Sequence, residues 1–132
     1  MRAEWAPLSL AKRCGIAVPK AWVEIVDGRD VLLLERFDRV VSAAGQTRRH
    51  MLSALSLLDL DDTEARLASY LDLAELLRQR AKDGAGDAAR LYRRMVFNIT
   101  LANTDDHAKS HACFWDGRCL TLTPTGRRTL PG

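Results

Sequence analysis

The hydrophobic pattern changes character near His50, and that change limits the folds open to the chain. Before it, apolar residues come in short β-rich runs separated by turn residues. After it, they recur at helical spacing. Ala21 to Val26 and Val31 to Phe37 read as two strands around the turn Asp27-Gly28-Arg29-Asp30, where Gly28 supplies the positive φ of a tight hairpin. The four apolar residues from Val31 predict a strand buried on both faces. A further extended segment follows to Val41, and Gly45 allows a turn into residues 46–50. In front of the strands, residues 5–14 predict a short helix with Pro7 in its first turn and Gly15 as C-cap.

On the other side of His50, Met51 to Leu58 predicts a short apolar helix. Asp59, Asp61, Asp62 and Thr63 form an acidic lead-in to a second, which runs to about Ala81 with Leu67, Leu71, Ala74 and Leu77 on one face. Asp83 to Asp87 reads as a loop. A third helix spans about Ala88 to Leu101, with Leu91, Met95, Ile99 and Ala102 as its apolar positions. Ala112 to Trp115 and Cys119 to Leu122 form a hairpin around Asp116-Gly117-Arg118. Sheet and helices are segregated, so the expected class is α+β, and the expected hinge between two lobes lies between Phe37 and His50.

Composition narrows the function classes. At 132 residues, 47% hydrophobic and 28% charged, the chain suits one small globular unit. No apolar run approaches the ~20 residues of a membrane span, and the amino terminus lacks a signal-peptide core, so a cytoplasmic setting is expected. Cys14, Cys113 and Cys119 are an odd, unpaired set that fits reduced thiols better than disulfides or zinc. A net charge of +3 permits an acidic or phosphate-bearing partner without demanding nucleic acid.

The densest polar cluster is NTDDHAKSH, Asn103 to His111, between an apolar helix and an apolar strand. Turn chemistry alone explains Asn103 to Asp106. It does not explain His107, Lys109 and His111. Phosphoryl transfer would use such a group: one carboxylate orients the attacking hydroxyl, an oxygen ligand about five residues on holds Mg²⁺, and a lysine neutralises the moving phosphoryl group. The separation of Asp105 from Ser110 equals the D-x-x-x-x-N spacing of kinase catalytic loops.

Several stretches then resemble one family at once and in order. LAKRCGIAVP at 10–19, LERFDR at 34–39, RRHMLSAL at 48–55, SYLDLAELL at 69–77, NTDDHAKSH at 103–111 and LTLTP at 120–124 are similar to segments of HipA-type serine/threonine kinases, toxins of type II toxin–antitoxin systems. The resemblance implies a kinase-like fragment over residues 1–124. About 1–49 would be the remains of the N-lobe and hinge, 50–124 the start of the C-lobe, and 125–132 an unrelated tail. It implies ATP and Mg²⁺ as cofactors. It implies a protein substrate and an antitoxin-like partner, with no direct nucleic-acid contact and no membrane. Carried over by position, Asp105 is the catalytic base, Lys109 the loop lysine, Ser110 the metal-ligand position where relatives have Asn, and Glu35 and Phe37 the hinge that meets adenine through its backbone. Asp106, His107, His111 and His50 are expected to be structural, with Asp106 a solvated turn carboxylate.

The resemblance also implies departures. Arg127 stands about where the family's second metal-binding Asp would follow LTP, and no acidic residue follows Asp116. The family's phosphate-covering loop and the strand with its ATP-binding Lys would precede Glu4. The expectation is therefore a truncated or frameshifted kinase, inactive as an isolated fragment, with a non-enzymatic module binding an antitoxin-like or kinase partner as the alternative.

Overall fold

The computed structural model describes residues 2–61, 63, 64, 69–104 and 106–125. The order is α1 (Arg2–Arg13), β1 (Ala21–Val26), β2 (Arg29–Leu34), β3 (Arg39–Ser42), β4 (Gly45–Arg48), β5 (Met51–Ser53), α2 (Ala54–Leu57), α3 (Tyr70–Arg80), α4 (Gly84–Thr100), a 3-10 turn (Ala108–Ser110), β6 (Ala112–Trp115) and β7 (Leu120–Leu122). The class is α+β, as expected. Two antiparallel hairpins, β1–β2 and β3–β4, precede a three-stranded antiparallel sheet in the order β5-β6-β7.

α1 begins earlier than residue 5, which puts Pro7 inside the helix rather than in its first turn. Gly15 closes α1 in the left-handed region, at φ 75°, and Ile16 N–H returns to Ala11 O at 3.0 Å. The first hairpin turns on Asp27-Gly28 alone, both with positive φ, so β2 starts at Arg29. Its apolar run is half-buried, not buried on both faces, because β1–β2 is two-stranded and only one face packs on α1 and α4.

The expected helix from Met51 is a correction. Met51–Ser53 pairs with β6, and the helix is only Ala54–Leu57, capped by Ser53. α3 begins at Ser69, whose side chain forms a capping box with Asp72. Leu67 lies outside the described residues; Leu77 is buried and Ala74 packs against the core as expected, but Leu71 is exposed and Leu73 joins the buried face in its place. The expected loop Asp83 to Asp87 is the first turn of α4, with Asp83 as N-cap. Gly84 is required there: a Cβ would sit 2.7 Å from Arg78 O and 2.9 Å from Leu77 O. Ile99 and Ala102 are exposed, since the buried stripe of α4 is Asp87, Leu91, Arg94 and Asn98, rotated about one residue from the expected one.

α4 joins two cores. Leu91 packs with Leu55, Leu73, Leu77, Cys113, Leu120 and Leu122. Phe97 packs with Leu8, Ala11 and Ile16, against which β1 and β2 lay Ala21, Leu32 and Leu34. Among the described residues no helix is long and apolar enough to cross a membrane.

Candidate functional site

The loop leaves α4 at Leu101 and turns at Ala102, whose φ is 52°. Asn103 fastens the turn: its N–H reaches Asn98 O at 2.9 Å and its side chain donates to Asn98 Oδ1 at 3.2 Å. Polar residues on the inward face of α4 thus grip the start of the loop. The far end enters β6, and His111 O accepts from Ala54 N–H at 2.9 Å. Both ends are held by packed elements, which suits a loop that must present side chains in fixed positions.

Asp106 is the centre of this grip, and the expectation of a solvated turn carboxylate fails. Its side chain is 6% exposed. Oδ2 accepts from Asn98 Nδ2 at 3.0 Å and from the Tyr70 hydroxyl. The Tyr70 oxygen in turn accepts from Asn98 Nδ2 at 3.2 Å. Oδ1 stands 3.0 Å from His111 Nε2, an ion-pair contact without the alignment of a good hydrogen bond. The Tyr70 ring meets the His111 ring edge-on, with centroids 5.2 Å apart. A carboxylate removed from water needs such partners to stay there. His111 is buried between the Asp106 carboxylate and the Tyr70 ring.

Asp105 lies outside the described residues. Lys109 and Ser110 share the 3-10 turn that follows. Ser110 Oγ, His107 Nδ1 and His111 Nδ1 are buried with no hydrogen-bond partner among the described residues. Ser110 thus has a hydroxyl oxygen free for another ligand. No group of three or more His, Cys, Asp or Glu among the described residues is arranged around a metal ion, and the Asp106 carboxylate is already committed.

The hinge residues separate. Glu35 is exposed, and its N–H donates to Lys20 O at 2.8 Å. Phe37 turns inward, edge-on to Phe114 of β6 at 6.0 Å between centroids. The Arg49 guanidinium covers the Phe114 ring, 3.4 Å from its centroid. Phe37 is thereby tied to the strand that leaves the loop, while Glu35 is not.

Behind the loop, the exit hairpin is anchored to α4. Asp87 is buried, accepts from Leu122 N–H at 3.0 Å and pairs with Arg90 at 2.6 Å. Arg94 is also buried and donates to Thr123 O. Burial pulls the Arg94 guanidinium down to about 10 and pushes the Cys113 thiol up to about 12. Tyr70, Asn98, Asp87 and Arg94 were not singled out from sequence. The available signal was the spacing of Asp87, Leu91, Arg94 and Asn98, which puts polar residues on one helical stripe with a core leucine.

Comparison with known proteins bears on the fold and the family. A Sinorhizobium fredii protein named "Putative kinase Y4mE" is 28% identical over 123 residues, covering 89% of this chain. A chain from the Shewanella oneidensis MR-1 toxin–antitoxin complex of HipA, HipB and operator DNA superposes with a TM-score of 0.83 over 95% of this chain, at 20% identity, and so shares its fold. The chain spans 29% of the first relative's length and 33% of the second's. The sequence pattern of the HipA-like C-terminal domain matches residues 1–125, and the chain belongs to that family.

Proposed function

We propose that this chain is the catalytic-loop segment of a HipA-type serine/threonine kinase and works as part of a larger assembly. The supporting observation is the loop itself: a polar segment of kinase spacing, clamped through Asp106 to Tyr70 and Asn98, with a free buried hydroxyl at Ser110. In this reading Asp105 orients the attacking hydroxyl of a protein substrate, Lys109 neutralises charge on the transferred group, and Ser110 offers one oxygen to Mg²⁺. ATP supplies the phosphoryl group. Phosphoryl transfer depends on positioning and on electrostatic stabilisation together. With one free metal oxygen in place, the isolated chain is not expected to transfer phosphate.

A protein partner of the HipB kind accompanies this reading by analogy with the Shewanella complex. The test is incorporation of labelled phosphate from ATP and Mg²⁺ into a generic protein acceptor. The purified chain should give background only. Co-assembled with the remainder of a HipA-length protein, it should gain transfer that Asp105→Ala abolishes. Transfer that survives Asp105→Ala would overturn the assignment of the loop.

A further inference from the structure

The base of the β3–β4 hairpin carries more positive charge than its neighbours compensate. Arg36, Arg39, Arg48 and Arg49 meet there around Asp38. Arg36 takes the Asp38 carboxylate for itself, donating from Nε at 2.9 Å and from Nη2 at 2.7 Å. Arg39 Nε stays 3.7 Å from the same carboxylate, is buried, and has no hydrogen-bond partner among the described residues. Arg49 donates its backbone N–H to Asp38 O at 2.8 Å, and its guanidinium lies on the Phe114 ring. Arg48 is exposed, and its side chain pairs with no described residue.

The strand register makes this excess local. Arg39 stands directly opposite Arg48 in the β3–β4 ladder, so both side chains rise from one face of the hairpin. Like charges placed that way repel and weaken the ladder. A buried N–H donor without an acceptor adds a second cost. Turn chemistry does not require the pair, because the hairpin turns at its other end, between Ser42 and Gly45. An anion held between the two guanidiniums would relieve both costs at once.

The chemistry of the pair selects the anion. Each guanidinium is a planar fork of N–H donors, matched to the paired oxygens of a carboxylate or phosphate. One carboxylate answers one fork and one charge, as Asp38 does for Arg36. A phosphate monoester carries about two charges near pH 7 and three acceptor oxygens, enough for two forks. An extended nucleic acid suits the place less well. Phe37 and Phe114 pack on each other and offer no face to a base, and Glu35 and Asp38 interrupt the basic run.

We propose that Arg39 and Arg48 clasp a phosphate monoester dianion between them, with Arg49 adding charge beside it. The phosphate belongs either to a phosphorylated side chain of a protein or to a small ester free in solution. The site uses neither the loop nor Ser110, so it stands or falls independently of the kinase reading.

The test titrates the isotope-labelled 132-residue chain while NMR follows the arginine Nε–Hε signals. The probes are a phosphoserine peptide, the same peptide with serine or glutamate in that place, free O-phosphoserine and a random-sequence oligonucleotide. The Arg39 signal should shift saturably with the phosphopeptide, and the serine and glutamate peptides should bind at least about tenfold more weakly. Arg48→Gln should weaken phosphopeptide binding at least about tenfold, with Tm unchanged or raised because the repulsion across the hairpin is gone. Arg39→Lys keeps the charge but loses the fork, and should weaken binding as well. Arg29→Gln removes one charge from the exposed turn of the first hairpin and should change affinity less than about twofold, since distant exposed charges are screened. Free O-phosphoserine binding as tightly as the peptide would support the site and assign it to a small ester. Tighter binding of the peptide would support it and assign it to a phosphoprotein. No saturable shift at millimolar ligand, equal binding of the glutamate peptide, an equal loss in Arg29→Gln, or tighter binding of the oligonucleotide would each overturn the proposal.

Discussion

Asp106 makes the loop's geometry an energetic matter. Replacing it with Ala leaves the Tyr70 hydroxyl, the Asn98 amide and His111 facing a void, and should cost about 3 kcal/mol in urea unfolding. Asp106→Asn should cost less, since the amide oxygen still accepts. A destabilisation below about 0.5 kcal/mol for the Ala variant would show that the clamp does not bear on stability. Cys113 yields a prediction in pH. Its thiol is raised by burial from 9.0 to about 12, so above pH 9 the unfolded chain ionises while the folded chain does not. Stability should therefore fall as pH rises through 9 to 10, by up to about 1.4 kcal/mol per pH unit. Beyond about pH 10 Arg94 acts in the opposite sense, because its folded form then sheds its proton before the unfolded chain does. Chemical denaturation of wild type and Cys113→Ala across that window should show the decline in the first only.

At the scale of elements, the joint between α3 and α4 is the tightest point. Gly84→Ala forces a methyl into the backbone of Arg78 and should cost about 1–3 kcal/mol, read as a lowered Tm. The capping box of α3 is a second joint: Ser69→Ala should cost about 1 kcal/mol. Its partner Asp72 is held below the usual carboxylate range by the Ser69 backbone and hydroxyl. The advantage of Asp72 over Asp72→Asn should therefore be present above pH 4 and vanish as pH falls through the folded pKa. These joints also explain what could be read from the chain. Gly28, Gly45 and Gly117 announced their hairpins because turn chemistry is local. The strand at Met51–Ser53 was not readable, because its pairing with β6 is made about 60 residues away. Likewise NTDDHAKSH stood out as a polar cluster, while the inward turn of Asp106 depends on Tyr70, which the sequence places 36 residues earlier. The stripe of α4 was misplaced by one residue because a purely apolar criterion skips Arg94 and Asn98.

Across the whole molecule, the carboxyl-terminal half carries the denser core, and the loop is built into it. The amino-terminal hairpins are two-stranded and largely exposed, apart from the edge that meets α1 and Phe97. α4 supplies a residue to each core, and this sets an order of opening. The hairpins can come away while Leu91 keeps its place, but loss of α4 takes both cores with it. Native-state hydrogen exchange should therefore resolve two units. The amides of β1 to β4 should exchange through partial opening at low denaturant. Those of α4 should exchange only through global unfolding, so that α4 acts as the last common timber of the frame.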